Sequence, residues 1–257
     1  MSNSHNILLN TAHGLMIVNR HEIDHDFGVA KSLAEDGVYE PEELRLLTDA
    51  IGYLKPAPVL LDVGANIGVH TLEFARHSAR TGGQVHAFEA QRILHGMLCG
   101  NVALNNHLNV RCHHAAVGAE TGELEMPAID YGRPTSFGSI ELGTRSQREP
   151  IGQELQWSGT GEKVALITLD SLALPRVDLI KIDVEGMEQA VLQGARQTLL
   201  RCHPVLSIEH IKSDVLALRE WLRAMNYVIY PLGRMNYLCI HSANPVVSMV
   251  GVDALPD

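Results

Sequence analysis

The sequence has little of what marks several specialised protein classes. Only 5% of its 257 residues are aromatic, and its four cysteines, Cys99, Cys112, Cys202 and Cys239, show no Cys-x-x-Cys spacing. This usage favours small buried thiols in a reducing compartment over a disulfide framework, a metal centre or a cysteine nucleophile. No apolar run approaches the roughly 20 residues of a membrane-spanning helix, and the first ten residues lack the basic and apolar regions of a secretory signal. We therefore expect a cytoplasmic protein that does not bind a membrane.

Positive charge is also scarce. Lys and Arg total 20 against 30 Asp and Glu, so the formal net charge is −10. Because nonspecific binding to nucleic acid needs a basic surface that displaces counterions, this balance argues against a nucleic-acid partner. Hydrophobic residues nevertheless make up 46% of the chain, which is typical of a folded globular protein, and α/β folds of this length often form one domain. We expect residues 1–257 to form a single domain.

Residues 1–54 predict an extension that precedes the main fold and ends in a helix. Residues 7–20 place two apolar runs around His13-Gly14, which indicates a β-hairpin. Residues 41–54 predict a helix, because Pro41 suits the first helical position and the apolar residues that follow recur at helical spacing. The hairpin either pairs across a homodimer or covers the sheet of its own chain.

From residue 58 onward, apolar runs alternate with helix-compatible stretches. Nearly continuous apolar strands that alternate with helices indicate a parallel sheet covered on both faces, and thus a Rossmann-like α/β fold. Residues 118–162, rich in glycine and proline, interrupt this pattern and are interpreted as an inserted lid or binding loop. The predicted strands are 58–63, 84–89, 109–117, 178–184 and 204–210, the predicted helices are 67–79, 91–106, 186–200 and 213–225, and residues 226–232 and 235–241 form a closing hairpin.

Four of the predicted strands end in an acidic residue: Asp62, Glu89, Asp183 and Glu209. The carboxyl ends of parallel strands line one edge of an open sheet, where ligands bind. One acid at such a place is as readily a helix cap or a solvated loop residue. Four at the same edge indicate a binding crevice.

The turn after the first of these strands suggests which ligand the crevice holds. Gly64 and Gly68 permit a tight turn and a close backbone approach, but their spacing is not the GxGxxG dinucleotide pattern, which argues against a nicotinamide dehydrogenase. Asp62 would repel a pyrophosphate and instead suits an ammonium group. Glu89, 27 residues later, suits the two hydroxyl groups of a ribose. An amino-acid head and a ribose in one ligand describe S-adenosylmethionine (SAM).

These motifs resemble those of the FkbM family of SAM-dependent methyltransferases. The resemblance covers about residues 37–210 and departs at Gln91, where the family usually has proline, a difference that bears on how the turn holds the ribose. The matching segments are GVYE at 37–40, LDVGANIG at 61–68, FE at 88–89, Asn101 with Leu104-Asn105, TLDSL at 168–172, IKIDVEGME at 180–188 and IE at 208–209.

The resemblance implies a class I methyltransferase fold with a mostly parallel seven-stranded sheet and helices on both faces, with SAM across the carboxyl ends of its first strands. It implies that Gly64, Ala65 and Asn66 face the methionine part, that Glu89 faces the ribose, and that Ala116 and Val117 face the adenine. Tyr39 and Glu40 would close over the ligand, and His70 and Thr71 would start the helix beneath it. The complete expected set of cofactor residues is Tyr39, Glu40, Asp62, Gly64, Ala65, Asn66, Gly68, His70, Thr71, Glu89, Ala90, Ala116, Val117 and Asp183.

Methyl transfer to a hydroxyl group needs alignment and removal of a proton, by a base or by a metal ion that lowers the pKa of the hydroxyl. The candidate catalytic residues are Asp183, Glu185, Glu209 and His210. The three carboxylates form either an oxygen-rich site for Mg²⁺ or another divalent cation, or a base held by its neighbours. Alternatively, Glu185 only caps the following helix and His210 is a hydrogen-bonded scaffold residue. The insertion residues that can reach an acceptor, judged by loop position alone, are Arg133, Ser136, Ser139 and Arg145. Trp157 is either a lid anchor or a residue that stacks on the acceptor.

One short motif points elsewhere. His21, Glu22 and His25 match HExxH, in which two histidines bind zinc and the glutamate acts as a base. The match spans five residues in a chain with 14 histidines and has no third ligand, so a chance match is the competing interpretation.

The sequence therefore predicts a SAM-dependent methyltransferase that acts on a hydroxyl group of a sugar or secondary metabolite, with that small molecule as its partner. The alternative is a non-catalytic protein that binds SAM or supports assembly.

Overall fold

The computed structural model describes residues 4–142, 150–157, 161–249 and 253–255. Within them, no helix is both long and apolar enough to cross a bilayer. The strands are β1 (Asn6–Thr11), β2 (Gly14–Asn19), β3 (Val59–Val63), β4 (Gln84–Glu89), β5 (Val110–His114), β6 (Ala116–Val117), β7 (Gly122–Glu125), β8 (Lys163–Ile167), β9 (Leu179–Ile182), β10 (Val205–Glu209), β11 (Tyr227–Leu232) and β12 (Asn236–His241). The α-helices are α1 (Arg20–Ile23), α2 (Val29–Glu35), α3 (Pro41–Tyr53), α4 (Val69–Ala79), α5 (Arg92–Leu104), α6 (Glu188–Gly194), α7 (Arg196–Cys202) and α8 (Val215–Ala224), and short 3₁₀ turns occur at Phe137–Ser139, Asp170–Leu172 and Pro245–Met249.

A seven-stranded sheet in the order β11-β12-β10-β9-β3-β4-β5 forms the central layer. The pairs from β10 through β9, β3 and β4 to β5 are parallel, and β12 pairs antiparallel with β10 and β11. The predicted mostly parallel α/β sheet with its closing hairpin is therefore confirmed. The parallel order brings the carboxyl ends of β3, β4, β9 and β10 to one edge.

Both faces of this sheet are buried, as continuous apolar strands require. On one face, Leu61 and Ile180 pack with Leu199 of α7. On the other face, Leu60 packs with Leu47 of α3, which confirms the predicted helix over 41–54. Successive residues of a strand point to opposite faces, so neighbouring leucines enter different cores.

The N-terminal extension packs on the same chain. Strands β1 and β2 form the predicted hairpin. The side chain of Asn101 on α5 accepts a hydrogen bond from the Ile17 N–H (2.5 Å) and donates one to the Ile67 carbonyl (2.8 Å). Asn101 thus joins the hairpin, α5 and the loop after β3, and brings the extension close to the sheet edge.

Two predicted elements are divided in the structure. The strand expected over 109–117 ends at His114, and β6 leaves the main sheet to form a three-stranded sheet in the order β6-β8-β7. The helix expected over 186–200 is interrupted at Ala195 between α6 and α7. A Cβ at Gly194 would lie 2.0 Å from the Gly118 carbonyl oxygen, so this helix approaches the start of the insertion through a glycine. Local apolar periodicity carries no information about the pairing of β6 with β8 or about the approach of Gly194 to Gly118.

Candidate functional site

A cavity of about 440 Å³ lies at the carboxyl edge of β3, β4, β9 and β10. Its size is within the usual range for small-molecule sites, roughly 300–1,000 Å³. Among the predicted cofactor and catalytic residues, those that line it are Tyr39, Glu40, Gly64, Ala65, Asn66, His70, Glu89, Ala90, Ala116, Val117, Asp183, Glu185 and Glu209.

The turn after β3 brings two strand ends unusually close. Gly64 has a φ of +83°, and a Cβ on it would lie 1.7 Å from the Asp183 carbonyl oxygen. Only glycine fits this approach. Asn66 follows with a φ of 52°, and its backbone N–H donates to Glu89 Oε2 at 2.9 Å. The glycine turn therefore places the ends of β3, β4 and β9 around one space.

Glu89, the last residue of β4, is held by backbone donors. Its two carboxyl oxygens accept hydrogen bonds from the N–H groups of Asn66 (2.9 Å) and Gln91 (2.7 Å). Burial raises the pKa of Glu89 to about 7, although these N–H groups favour the anion. We call Asn66, Glu89 and Gln91 the Glu89 end of the cavity.

The Gln91 side chain holds the insertion against this end. Its Nε2 donates to the Phe137 carbonyl at 2.7 Å, and its Oε1 accepts a hydrogen bond from the Tyr131 hydroxyl at 3.1 Å. Gln91 is buried, and sequence reasoning noted it only as a departure from proline. Its partners Tyr131 and Phe137 are 40 and 46 positions away in the sequence, so these contacts leave no local signal.

At the opposite end, Asp183, Glu185 and Glu209 bring one carboxyl oxygen each to within 4.8 Å of the others. We call these three residues the carboxyl cluster. Lys181 Nζ donates to Asp183 at 2.9 Å, and Lys212 Nζ donates to Glu185. Both lysines are buried. Neither lysine was among the candidates that the sequence suggested. Lys181 lies on β9, and Lys212 reaches the cluster from the loop after β10.

Protons are held tightly in this cluster. Burial, followed by the charge of Asp183, raises the pKa of Glu185 to about 8 and that of Glu209 to about 10. Burial opposes the charged form of Lys181, but the surrounding carboxylates, above all Asp183, outweigh it and raise the pKa of the ammonium. Glu209 Oε2 is buried and has no hydrogen-bond partner among the described residues.

A third group reaches the cavity from the N-terminal side. Glu40 stands just before α3 in a left-handed backbone conformation, and burial raises its pKa to about 7. Its carboxyl group lies 3.8 Å from His70 Nε2, which is buried without a hydrogen-bond partner in the described part of the chain. Burial holds the pKa of His70 well below its ordinary value, so the imidazole is neutral.

Four of the expected site residues do not line the cavity. Asp62 is fully buried within β3, and its carboxyl group accepts a hydrogen bond from the Thr71 hydroxyl at 2.5 Å. Gly68, the residue before α4, lies outside the cavity and next to Leu98. His210 stacks on the Tyr237 ring with centroids 3.9 Å apart. The reason is the alternation of side chains along a strand. Asp62 lies one residue before the end of β3. His210 follows Glu209, the last residue of β10, so the His210 side chain points to the other side.

The HExxH match does not form a metal centre. Glu22 is buried, and its carboxyl group accepts backbone N–H groups from Ala30 (3.0 Å) and Phe137 (3.2 Å). His21 Nε2 lies 3.0 Å from His5 Nδ1, and His25 Nδ1 is bonded to the Phe27 carbonyl. Helix α1 ends at Ile23, so the two histidines do not share a helical face.

The insertion contributes part of the cavity wall. Ser136 and Ser139 line the cavity. Arg133 instead pairs with Asp130 at 3.0 Å on the surface, and Trp157 lines a neighbouring, smaller depression. Arg145 lies outside the described residues.

Comparisons with known proteins match this site to a family. The family model "Methyltransferase FkbM domain" matches residues 62–229, well over half of the chain. Methyltransferase 1 from Beauveria bassiana is 26% identical over 70% of this chain and 76% of its own length. The 31-O-demethyl-FK506 methyltransferase FkbM from Streptomyces tacrolimicus is 30% identical over 59% of this chain and 68% of its own.

Among solved structures, the FkbM methyltransferase from Methylobacillus flagellatus superposes with a TM-score of 0.50 at 18% identity. The match covers 74% of this chain and 45% of that chain, so this protein spans less than half of that longer one. The shared fold is the class I methyltransferase fold that the resemblance implied. Because the family model spans most of the central sheet and the cavity edge, this chain belongs to the FkbM family of methyltransferases.

Proposed function

We propose that this protein is a SAM-dependent methyltransferase that methylates a hydroxyl group of an apolar sugar derivative or secondary metabolite. The observation that carries the proposal is the cavity at the carboxyl edge, with backbone-held Glu89 at one end and the carboxyl cluster at the other. A cofactor that joins a ribose to a sulfonium cation matches this arrangement of donors and acceptors.

The residues present fit this cofactor. Glu89 has one lone pair on each carboxyl oxygen beyond those used by the backbone, as a ribose diol needs. Ala116 and Val117 offer an apolar surface beside it for an adenine, and the turn at Gly64 and Ala65 faces the remaining space. His70 Nε2, which is buried and lacks a hydrogen-bond partner within the described ranges, supplies a further polar contact. Asp62 does not line the cavity, but its carboxyl group accepts the Thr71 hydroxyl and so orients Thr71 at the start of α4.

When bound, SAM supplies an electrophilic methyl group on a positively charged sulfur. The chain aligns the acceptor with that group, and alignment alone lowers a barrier by roughly 7–11 kcal/mol. Asp183, whose carboxyl group is held by a hydrogen bond from Lys181 Nζ, accepts the proton of the acceptor hydroxyl. Glu185 and Glu209 hold their protons near neutral pH and act as hydrogen-bond donors to the acceptor.

The same cluster is the metal site that the sequence suggested. Its three carboxyl groups are suitable ligands for Mg²⁺. However, the ammonium groups of Lys181 and Lys212 already bind two of them, and a divalent ion would face two cations in close range. This donor set supports a proton-accepting role over a metal-binding role.

The mouth of the cavity supports an acceptor with an apolar body. Phe27, Ile211 and Met235 are among the exposed large apolar residues, and all three line the cavity. An amphipathic molecule can cover them while its hydroxyl group reaches the carboxyl cluster. The Streptomyces relative is named for a 31-O-demethyl compound, which supports oxygen as the methylated atom.

Calorimetric titration with SAM and with its demethylated product, with Mg²⁺ or with EDTA, tests this proposal. We expect micromolar binding of both that does not depend on Mg²⁺, followed by methyl transfer to amphipathic alcohols. Mg²⁺-dependent binding or turnover would return the carboxyl cluster to a metal site. SAM binding without transfer to any acceptor would favour the non-catalytic alternative.

A further inference from the structure

Two segments outside the alternating strands and helices cover the cavity. Residues 27–40, which we call the N-terminal cover, line it with Phe27, Gly28, Val29 and Ser32. Residues 136–142, which we call the loop cover, line it from the insertion with Ser136, Gly138 and Ser139. The two covers are about 100 residues apart in the sequence, so a physical link between them is needed if they are to act together.

Glu22 provides that link. One carboxyl oxygen accepts the Ala30 N–H at 3.0 Å, and the other accepts the Phe137 N–H at 3.2 Å. The Gly138 N–H also bonds to this group. Glu22 itself is 2% exposed and does not line the cavity. A single carboxyl group therefore binds the backbones of both covers.

On the N-terminal cover, Glu22 serves as a remote cap for α2. Gly28, the residue before this helix, has no side chain to bind the free N–H groups of the first turn. The Glu22 carboxyl group takes that place, and an acid is favourable at a helix N-terminus. Gly28 is required for this contact, because its φ is +141° and a Cβ on it would lie 2.8 Å from Glu22 Cγ.

On the loop cover, the link continues to the Glu89 end. A Cβ at Gly138 would lie 2.4 Å from Asn66 Nδ2, so the loop packs directly on the side chain of Asn66. Asn66 in turn donates its backbone N–H to Glu89. A displacement of the loop cover would therefore move Asn66 and, through it, the Glu89 carboxyl group assigned to the ribose.

We propose that Glu22 is a positioning residue that holds both covers over the cofactor cavity together. The N-terminal segment, which lies before the matched residues 62–229, is then a working part of the cofactor site. A buried carboxyl group is costly, as the raised pKa of about 7 indicates. An apolar side chain would fill the same space at less cost but would bind neither cover. This inference rests on the proposed SAM function for its consequence, but not for the link itself.

Glu22→Gln tests the link with almost no change in shape. An amide has one accepting oxygen instead of two, so one cover loses its partner. Hydrogen exchange of the ligand-free protein is measured on peptides over residues 27–35 and 134–142. Because the link makes the two covers depend on each other, we expect faster exchange in both peptides, including the one that keeps its hydrogen bond. We also expect a roughly tenfold weaker affinity for SAM, as for loss of a buried hydrogen bond to a charged group. Glu35→Gln, an exposed change in α2 that breaks only the Lys31 pair, serves as the matched control.

Gly28→Ala provides an independent route if Glu22→Gln does not fold. The added methyl group displaces the Glu22 side chain from the N-terminal cover. We expect faster exchange over 134–142 as well, although the change lies in the other cover. The link is overturned if Glu22→Gln accelerates exchange in only one of the two peptides or in neither. It is also overturned if Gly28→Ala leaves exchange over 134–142 unchanged. If the wild type does not bind SAM, the proposed function fails, while the exchange data still decide the link.

Discussion

The two ends of the cavity hold their carboxyl groups in different ways. At the Glu89 end, one carboxyl group is bound by two backbone N–H groups whose positions are set by the ends of β3 and β4. In the carboxyl cluster, three carboxyl groups face one another, and two of them accept hydrogen bonds from the side chains of Lys181 and Lys212.

This difference suits one end of the cavity to binding a ligand and the other end to proton transfer. Backbone donors keep a fixed geometry and suit a group that must bind the same part of a cofactor in every cycle. Facing carboxyl groups share protons and shift their pKa values with each other's charge, which suits proton transfer. The predictions below probe the two ends separately.

The largest effect is expected for Asp183→Asn in the carboxyl cluster. An amide cannot accept the acceptor's proton, so turnover should fall by about 10²- to 10⁴-fold. SAM affinity, measured by calorimetry, should stay within a few-fold of the wild type, because the Glu89 end is untouched. Wild-type turnover would remove the proton-accepting role from Asp183.

At the other end, Glu89→Ala should act on binding. Loss of a charged acceptor for the ribose hydroxyl groups should weaken SAM affinity by about 10- to 100-fold. The control is Glu123→Ala on β7. It also replaces a glutamate by alanine, but at an exposed position. Unchanged SAM affinity in a folded Glu89→Ala protein would refute the ribose assignment.

The carboxyl cluster should also make stability depend on pH. The pKa of Glu209 rises from its ordinary 4.5 to about 10 in the folded protein, so the folded state binds this proton more tightly than the unfolded state. The free energy of unfolding should therefore fall as pH rises from about 5 towards 10. In Glu209→Gln, denaturant unfolding between pH 6 and 9 should show a shallower decline. An equally steep decline would place the titrating group elsewhere.

The smallest effect is expected for Gln91→Ala. The backbone N–H that binds Glu89 is kept, and only the side-chain bonds to Phe137 and Tyr131 are lost. The free energy of unfolding should fall by about 1–3 kcal/mol, measured by urea denaturation, with a smaller loss of SAM affinity than in Glu89→Ala. An affinity loss as large as that of Glu89→Ala would mean that the loop, rather than the carboxyl group, holds the cofactor.

Strand ends were predictable from the sequence because they follow from local rules. Continuous apolar runs identified β3, β4, β9 and β10, and the parallel arrangement then required that Glu89, Asp183 and Glu209 meet at one edge. The side-chain direction was less predictable. A shift of one residue along a strand turns a side chain to the other face, which is why Asp62 and His210 lie off the cavity.

Local sequence thus determined the fold class, the sheet edge that carries the cavity, and the family. Only the tertiary structure decided that Lys212 pairs with Glu185, that Gln91 holds the insertion, and that Glu22 of the HExxH match binds two distant backbones. Hydrophobic period and turn chemistry act over a few neighbouring residues. A buried polar side chain takes whichever partner the packing brings within about 3 Å. For Lys212, for Gln91 and for the Phe137 contact of Glu22, that partner lies 27 or more residues away in the chain.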